Sequence, residues 1–139
     1  MSAASNYTET NVINALLRGV TFPLPTKTYV SLHTGNPGET GGSEVTTGAF
    51  PAYVRKEAEV GGAIGSGWAA PTDGVTTNAK QLTYPGFDGA SPVTVTHFAV
   101  YDAATGGNML CYAPLTTART LQSGDVFVFD INALTVTMA

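Results

Sequence analysis

The segment 93-VTVTHFAVYDAATGGNMLCYAPL-115 decides the fold. Two runs rich in β-branched and aromatic residues flank Ala103–Gly107, where Gly106 and Gly107 can supply the positive φ of a tight connection. The pattern predicts an antiparallel hairpin with strands over 92–102 and 108–115. Asp102 is placed to brace the turn through its own backbone. Pro92 opens one strand and Pro114 lies near the end of the other, where a missing amide donor costs least. Regular alternation puts His97 on one face with Val93, Val95, Ala99 and Tyr101. Thr94, Thr96, Phe98 and Val100 fall on the opposite face.

Outward from this hairpin the β pattern continues. Further strands are expected over 27–34, 52–60, 66–70, 79–84, 125–131 and 133–138, separated by clusters of Gly, Pro, Asn and Asp. In the last two, Phe127 and Phe129 share a face, as do Leu134, Val136 and Met138. Many short strands with turn signals between them predict a mainly β chain, an antiparallel β-sandwich of jelly-roll or immunoglobulin-like type. One short N-terminal α-helix precedes it. Ser5 or Asn6 can cap this helix, Glu9 suits its positive first turn, and Gly19 follows Arg18 where a left-handed residue commonly ends a helix. Val12, Ile13, Leu16 and Leu17 form a single apolar stripe, which needs a surface to lie on: the chain's own sheet or another subunit. The expected organisation is an N-terminal arm over 1–26 and one sandwich domain over 27–139.

Composition narrows the function. Of 139 residues only 12% are charged, about half the usual share, while 43% are hydrophobic and 21 are threonine. A sparsely charged chain often hides surface in an assembly. A net charge of −4, with Arg55-Lys56 as the one adjacent basic pair, argues against nucleic-acid binding, because phosphate contacts need clustered Lys and Arg. No apolar run approaches membrane-spanning length, so no membrane partner is expected. The opening MSAASNYTET lacks the basic start and apolar run of a signal peptide, and the lone Cys111 excludes an internal disulfide. Both point to synthesis in the cytoplasm.

No chemistry-bearing constellation emerges. His33 begins the loop 33-HTGNPGETGG-42, and His97 lies within a strand. The two can meet across strands, but two ligands with no third make a poor metal site. Cys111 sits in the apolar run 109-MLCY-112, where a thiol is inert packing. Glu57 and Glu59 are spaced as a carboxylate pair, yet Arg55 shares their expected strand face, which favours an ion-pair patch. The run 61-GGAIGSG-67 lacks the strand–turn–helix setting of a phosphate loop. The expectation is a non-enzymatic protein with no catalytic, cofactor-binding or metal-ligating residue.

Several segments in order carry a resemblance. They are 29-YVSLHTGNPGETG-41, Tyr53 with Arg55, Trp68, Thr77-Asn78, 82-LTYPGF-87, 96-THFAVYDAATGGNMLCY-112, 115-LTTART-120, 124-GDVFVF-129 and 133-ALTVTM-138. Together they resemble a family of small tailed-bacteriophage virion proteins, often labelled tail-fibre proteins and similar to head decoration (cement) proteins. The resemblance implies a β-sandwich that binds other coat subunits, and it brings no catalytic residue. Its leading functional implication is a decoration protein that stabilises the assembled head through major capsid protein. A tail or tail-fibre-associated attachment protein is the alternative, and a glycan-binding module a weaker one. Expected partners are major capsid protein and copies of itself as a homotrimer, and the expected location is the capsid surface of the virion. The contacting parts would be the loop residues His33, Thr34, Gly35, Asn36, Pro37, Gly38 and Glu39, with the helix stripe Val12, Ile13, Leu16 and Leu17.

Overall fold

The computed structural model describes residues 3–138; Met1, Ser2 and Ala139, at the outer ends of the expected spans 1–26 and 27–139, lie outside the described residues. In chain order the elements are β1 (Ala3–Ala4), α1 (Asn6–Arg18), β2 (Tyr29–His33), β3 (Lys56–Glu57), β4 (Val75–Thr77), β5 (Leu82–Gly86), β6 (Val93–Tyr101), β7 (Met109–Leu121), β8 (Val126–Phe129) and β9 (Thr135–Thr137). A 3-10 turn occupies Gly38–Thr40.

The β6–β7 hairpin forms as its sequence requires and is the centre of a five-stranded antiparallel sheet ordered β1-β7-β6-β2-β3. At its tip the Asp102 carboxylate accepts from the Asn108 backbone N–H at 2.7 Å and from the Asn108 side-chain amide at 2.9 Å. Two antiparallel ribbons, β4-β9 and β5-β8, make a second layer. Between the layers lies one core: Val30, Leu32, Val95, Phe98, Val100, Cys111 and Ala113 from the sheet meet Leu82, Tyr84, Phe127, Phe129, Leu134 and Val136 from the ribbons. The Tyr84 ring stands edge-on to Phe127 and Phe129, with centroids 5.8 and 6.0 Å away. Its hydroxyl crosses the core to donate to Val30 O at 2.8 Å, so the one polar atom of this aromatic cluster is satisfied. The chain is thus mainly β with one helix, in a sandwich-like arrangement whose second layer is split into two ribbons.

Strand boundaries differ from the sequence expectation where turns carry core residues. The expected strand 52–60 reduces to Lys56–Glu57. Phe50, Tyr53 and Ala58 are all buried, a spacing no strand provides, and they are delivered by turns such as Tyr53 N–H to Phe50 O at 2.9 Å. Expected strand 66–70 contains only an isolated bridge, Trp68 to Asn78. Val75–Thr77 and Ala3–Ala4 also pair as strands, outside the expected spans.

The alternation expected along β6 also fails midway. Val93 and Val95 face the core, and so do Phe98 and Val100. A register irregularity between Val95 and His97 shifts the phase, so Ala99 and Tyr101 pack on the opposite face with Met109. His97 therefore does not share a face with Val93 and Val95. That outer face of the sheet is where the N-terminal arm and the loop after β2 settle.

Candidate binding surface

The N-terminal arm is fastened at its start. Ala3 and Ala4 pair with Tyr112 and Cys111 of β7. Ser5 is the N-cap: its hydroxyl accepts from the Thr8 backbone N–H at 3.2 Å and donates to Met109 O. The Thr8 hydroxyl donates to Leu110 O at 2.7 Å, and the Ser5 backbone N–H reaches the same carbonyl at 3.1 Å. Gly19 ends the helix in the left-handed region at φ 66°, and Val20 N–H returns to Asn14 O at 3.1 Å.

What the helix shows to its own body is its polar side. At ~100° per residue, Thr8, Asn11 and Ala15 share one face, and Glu9, Ile13, Leu16 and Leu17 the other. Thr8 is buried, and Asn11 and Ala15 are half-buried. Ile13, Leu16 and Leu17 are 56, 76 and 79% exposed. Val12, at the border of the stripe, is half-buried. The usual polarity of a surface helix is reversed. Of the two surfaces the stripe could lie on, the chain's own sheet is not the one.

The loop after β2 folds back over the outer face of the sheet. His33 is fully buried, with Nδ1 2.7 Å from Gly42 O and Nε2 2.8 Å from the Ser31 hydroxyl. The carbonyl can only accept, so Nδ1 carries the proton and Nε2 accepts from Ser31 in the neutral ring. Burial pushes the His33 pKa below its ordinary value, against smaller opposing effects of Gly42 O and Glu44. Gly41, at φ 89°, presses against the Tyr101 hydroxyl so closely that a Cβ there would overlap it. Asn36 closes its own turn by accepting from Gly38 N–H at 2.9 Å. His33 and Pro37, expected among the contact residues, are buried: His33 ties the loop to β2, and Pro37 O accepts from Gly42 N–H at 2.6 Å within the loop. Thr34, Asn36 and Glu39 are exposed, while Gly35 and Gly38 are half-buried.

Arg55 joins this loop to the hairpin tip. It grips Glu44 with two parallel bonds, Nε to Oε1 and Nη2 to Oε2, each 2.8 Å. Its Nη1 donates to Ala103 O at 3.0 Å and Gly106 O at 2.8 Å, and the guanidinium lies 3.5 Å over the Tyr101 ring. Tyr53 completes the cluster, donating to Glu44 at 2.9 Å while accepting from Leu32 N–H at 3.0 Å. Burial alone would raise the Glu44 pKa; the Arg55 and Tyr53 hydrogen bonds outweigh it and hold the carboxyl below its usual range. The adjacent cleft of about 320 Å³ is lined by Val45, Val54, Arg55 and Thr105. The Arg55 donors are taken up by Glu44, Ala103 and Gly106, and Glu44 and Gly106 line that cleft as well.

The expected patch of Arg55, Glu57 and Glu59 does not exist, because no strand aligns the three. Glu57 pairs with Lys27 at 2.6 Å. Glu59 is buried and accepts from the Thr28 backbone N–H at 3.0 Å and the Thr28 hydroxyl at 2.7 Å. Trp68 Nε1 donates to the same hydroxyl at 3.0 Å. Among the described residues no three His, Cys, Asp or Glu side chains gather as a metal site, and no helix is long and apolar enough to cross a membrane.

The Arg55 cluster has no local sequence signal, since its members come from positions 44, 53, 55, 101, 103 and 106. The helix stripe was readable, and only its direction needed the structure. The helix N-cap and the loop after β2 both reach the start of β7: Ser5 bonds Met109 O, and Gly41 lies beside the Met109 sulfur.

A search among curated proteins gives no match. The sequence does match the family model described as podophage GP4 fiber I protein gp80, over residues 3–137. That match covers nearly the whole chain, helix included, and agrees with the resemblance to tail-fibre-labelled virion proteins. The chain belongs to the podophage GP4 fiber I protein gp80 family, a family of phage virion proteins.

Proposed function

We propose that this chain is a non-enzymatic fibre component of a podophage virion, a binding module that joins other tail or fibre subunits. The observation that carries this reading is the reversed helix: Ile13, Leu16 and Leu17 are presented to solvent on an element whose polar face is already occupied. A family of fibre proteins supplies the context, and it favours the tail-fibre alternative over the decoration of capsid surface by contact with major capsid protein. The low charge of 12% suits a subunit that hides surface in an assembly. The exposed loop residues Thr34, Asn36 and Glu39 offer a polar rim, on a loop fastened by the His33 bond to Gly42 O. A rigid body with one unpartnered apolar element fits a structural joint.

The test is copy number. Quantitative mass spectrometry of purified particles is expected to find a small number of copies per particle, of the order of the tail's symmetry. Hundreds of copies, in proportion to major capsid protein, would overturn the fibre reading in favour of the decoration reading and its homotrimer at threefold positions.

A further inference from the structure

We infer that the cleft between β7 and the β8–β9 connection binds an acidic sugar, with Arg119 gripping its carboxylate. The sheet itself makes the opening. Arg119 pairs with Val95 and Pro114 with His97, so Leu115, Thr116, Thr117 and Ala118 of β7 stand against Thr96 alone. A bulge of this kind bends its strand and breaks the ladder locally. The cleft beside it, about 330 Å³, has Leu115 and Phe129 as its apolar floor. Thr116, Thr117, Asn132 and Thr135 line it with hydroxyls and an amide. Asn132 is fixed in the left-handed region at φ 66°: its backbone N–H donates to Asn78 O at 3.0 Å, and its Oδ1 accepts from the Thr77 hydroxyl at 2.8 Å.

Charge sets this cleft apart. Three surface clefts each hold a cation. The one at Arg55 includes Glu44 and the one at Lys56 includes Glu57, whereas no acidic residue lines the one at Arg119. Among the described residues no carboxylate comes within ion-pair distance of Arg119. Asp125 and Asp130, which flank β8, bond Gln122 and Gln81 instead. The guanidinium is nevertheless held in place, 5.1 Å over the Phe127 ring with Nη1 donating to Val128 O at 3.0 Å. That leaves Nε and Nη2, the same edge with which Arg55 grips Glu44, for a carboxylate from outside. A phosphate, with about two negative charges, would meet only one cation here, and a carboxylate is matched. The volume is at the small end of the ~300–1,000 Å³ of ligand sites, which suits one ring. Threonine hydroxyls both donate and accept, as the hydroxyls of a sugar require.

Titration of the isotope-labelled full chain with sodium D-glucuronate, followed by NMR at constant ionic strength, tests it. The backbone amides of Thr116, Thr117, Asn132 and Ala133 and the Arg119 Nε–H should shift together, with a millimolar Kd. D-Glucose, which lacks the carboxylate, and acetate, which lacks the ring, should each bind at least roughly tenfold more weakly. Arg119→Gln should remove the response. Asn132→Asp keeps an acceptor for Thr77 and tolerates the positive φ, and it should weaken glucuronate roughly threefold to tenfold by setting a like charge beside it. Both variants should keep the wild-type pattern of amide signals away from the cleft. No shift with glucuronate, shifts centred elsewhere, or an unchanged response in either variant would overturn the proposal. Glucose equal to glucuronate would overturn the role of Arg119, and acetate or inorganic phosphate equal to it would overturn the sugar. The copy number on the particle does not enter these outcomes, so the fibre reading and this site can fail separately.

Discussion

His33 on β2 and His97 on β6 stand directly opposite each other in the register of the sheet. They nevertheless belong to different environments. His33 is sealed under the loop with both ring nitrogens bonded, whereas His97 is half-buried and bonds the neighbouring Thr96 hydroxyl at 2.7 Å. Desolvation lowers both pKa values. Placed across from each other, the rings oppose each other's protonation.

Acid is therefore expected to loosen the loop. In the unfolded chain each histidine titrates at its ordinary 6.5. In the folded chain it resists the proton, so between those values the unfolded state binds more protons. The stability contributed by the neutral rings is complete above 6.5 and is lost as pH falls below it. Glu44, whose pKa is also lowered, adds a second loss below its ordinary 4.5. Unfolding temperature measured from pH 8 to 4 should decline from about 6.5 downward. His33→Gln should flatten the upper part of that decline, and a variant with the wild-type slope would exclude His33 as its source.

Arg55→Lys should be far from conservative. Lysine keeps the charge and loses the planar fork, the second bond to Glu44, the grip on Ala103 O and Gly106 O, and the stack on Tyr101. A loss of about 2–3 kcal/mol is expected, since Glu44 is left partly buried with its best partner gone. Urea unfolding measures this. A loss under about 0.5 kcal/mol, the usual range for a surface substitution, would mean the cluster is incidental.

Gly41→Ala should strain the loop twice over. Its φ of 89° disfavours any side chain, and the added Cβ would overlap the Tyr101 hydroxyl. The expected cost is about 1–3 kcal/mol. Hydrogen exchange should locate the change, with Thr34, Gly42 and Val45 amides losing protection while the β6–β7 amides keep theirs.

In the core, Tyr84→Phe removes one buried hydrogen bond and leaves Val30 O without that donor, at a cost of about 1–2 kcal/mol. Phe127→Ala empties the centre of the aromatic cluster and should cost about 3–5 kcal/mol. A smaller effect for Phe127 than for Tyr84 would contradict the packing described here.

Cys111 should be inert in the folded protein. Burial pushes its thiol up to about 12, leaving almost no thiolate at neutral pH. A thiol-reactive dye is expected to label it only as fast as the protein opens, with rapid and stoichiometric labelling in denaturant.

Much of this molecule was legible in the chain. The helix could be read from Ser5, Glu9 and Gly19 because caps are local, and the hairpin from Gly106-Gly107 for the same reason. Phe127 and Phe129 were assigned one face correctly, since the irregularity of this ribbon places its extra residue on β5, between Thr83 and Gly86, and leaves β8 in phase. The limits are equally physical. Residues 52–60 alternate well enough to suggest a strand, but Tyr53 and Ala58, with Phe50 just before them, are drawn into the core from successive turns. Arg55 looked like one member of a charged patch because its partner Glu44 lies on another loop. The helix stripe was seen, but which neighbour it meets is a tertiary fact. Local signals were read well, and contacts between distant segments were not.

The slip at Thr96–His97 has a consequence for comparing related chains. Strand β6 has two phases, one up to Val95 and one from Phe98, and each is correct for its own half. A relative that lacked the slip would need one residue more or fewer to keep both halves facing inward. Aligned by alternation alone, such a relative would appear misplaced by one position on one side of Thr96. An insertion or deletion there would then be a change of frame that preserves the core, not a break in the strand.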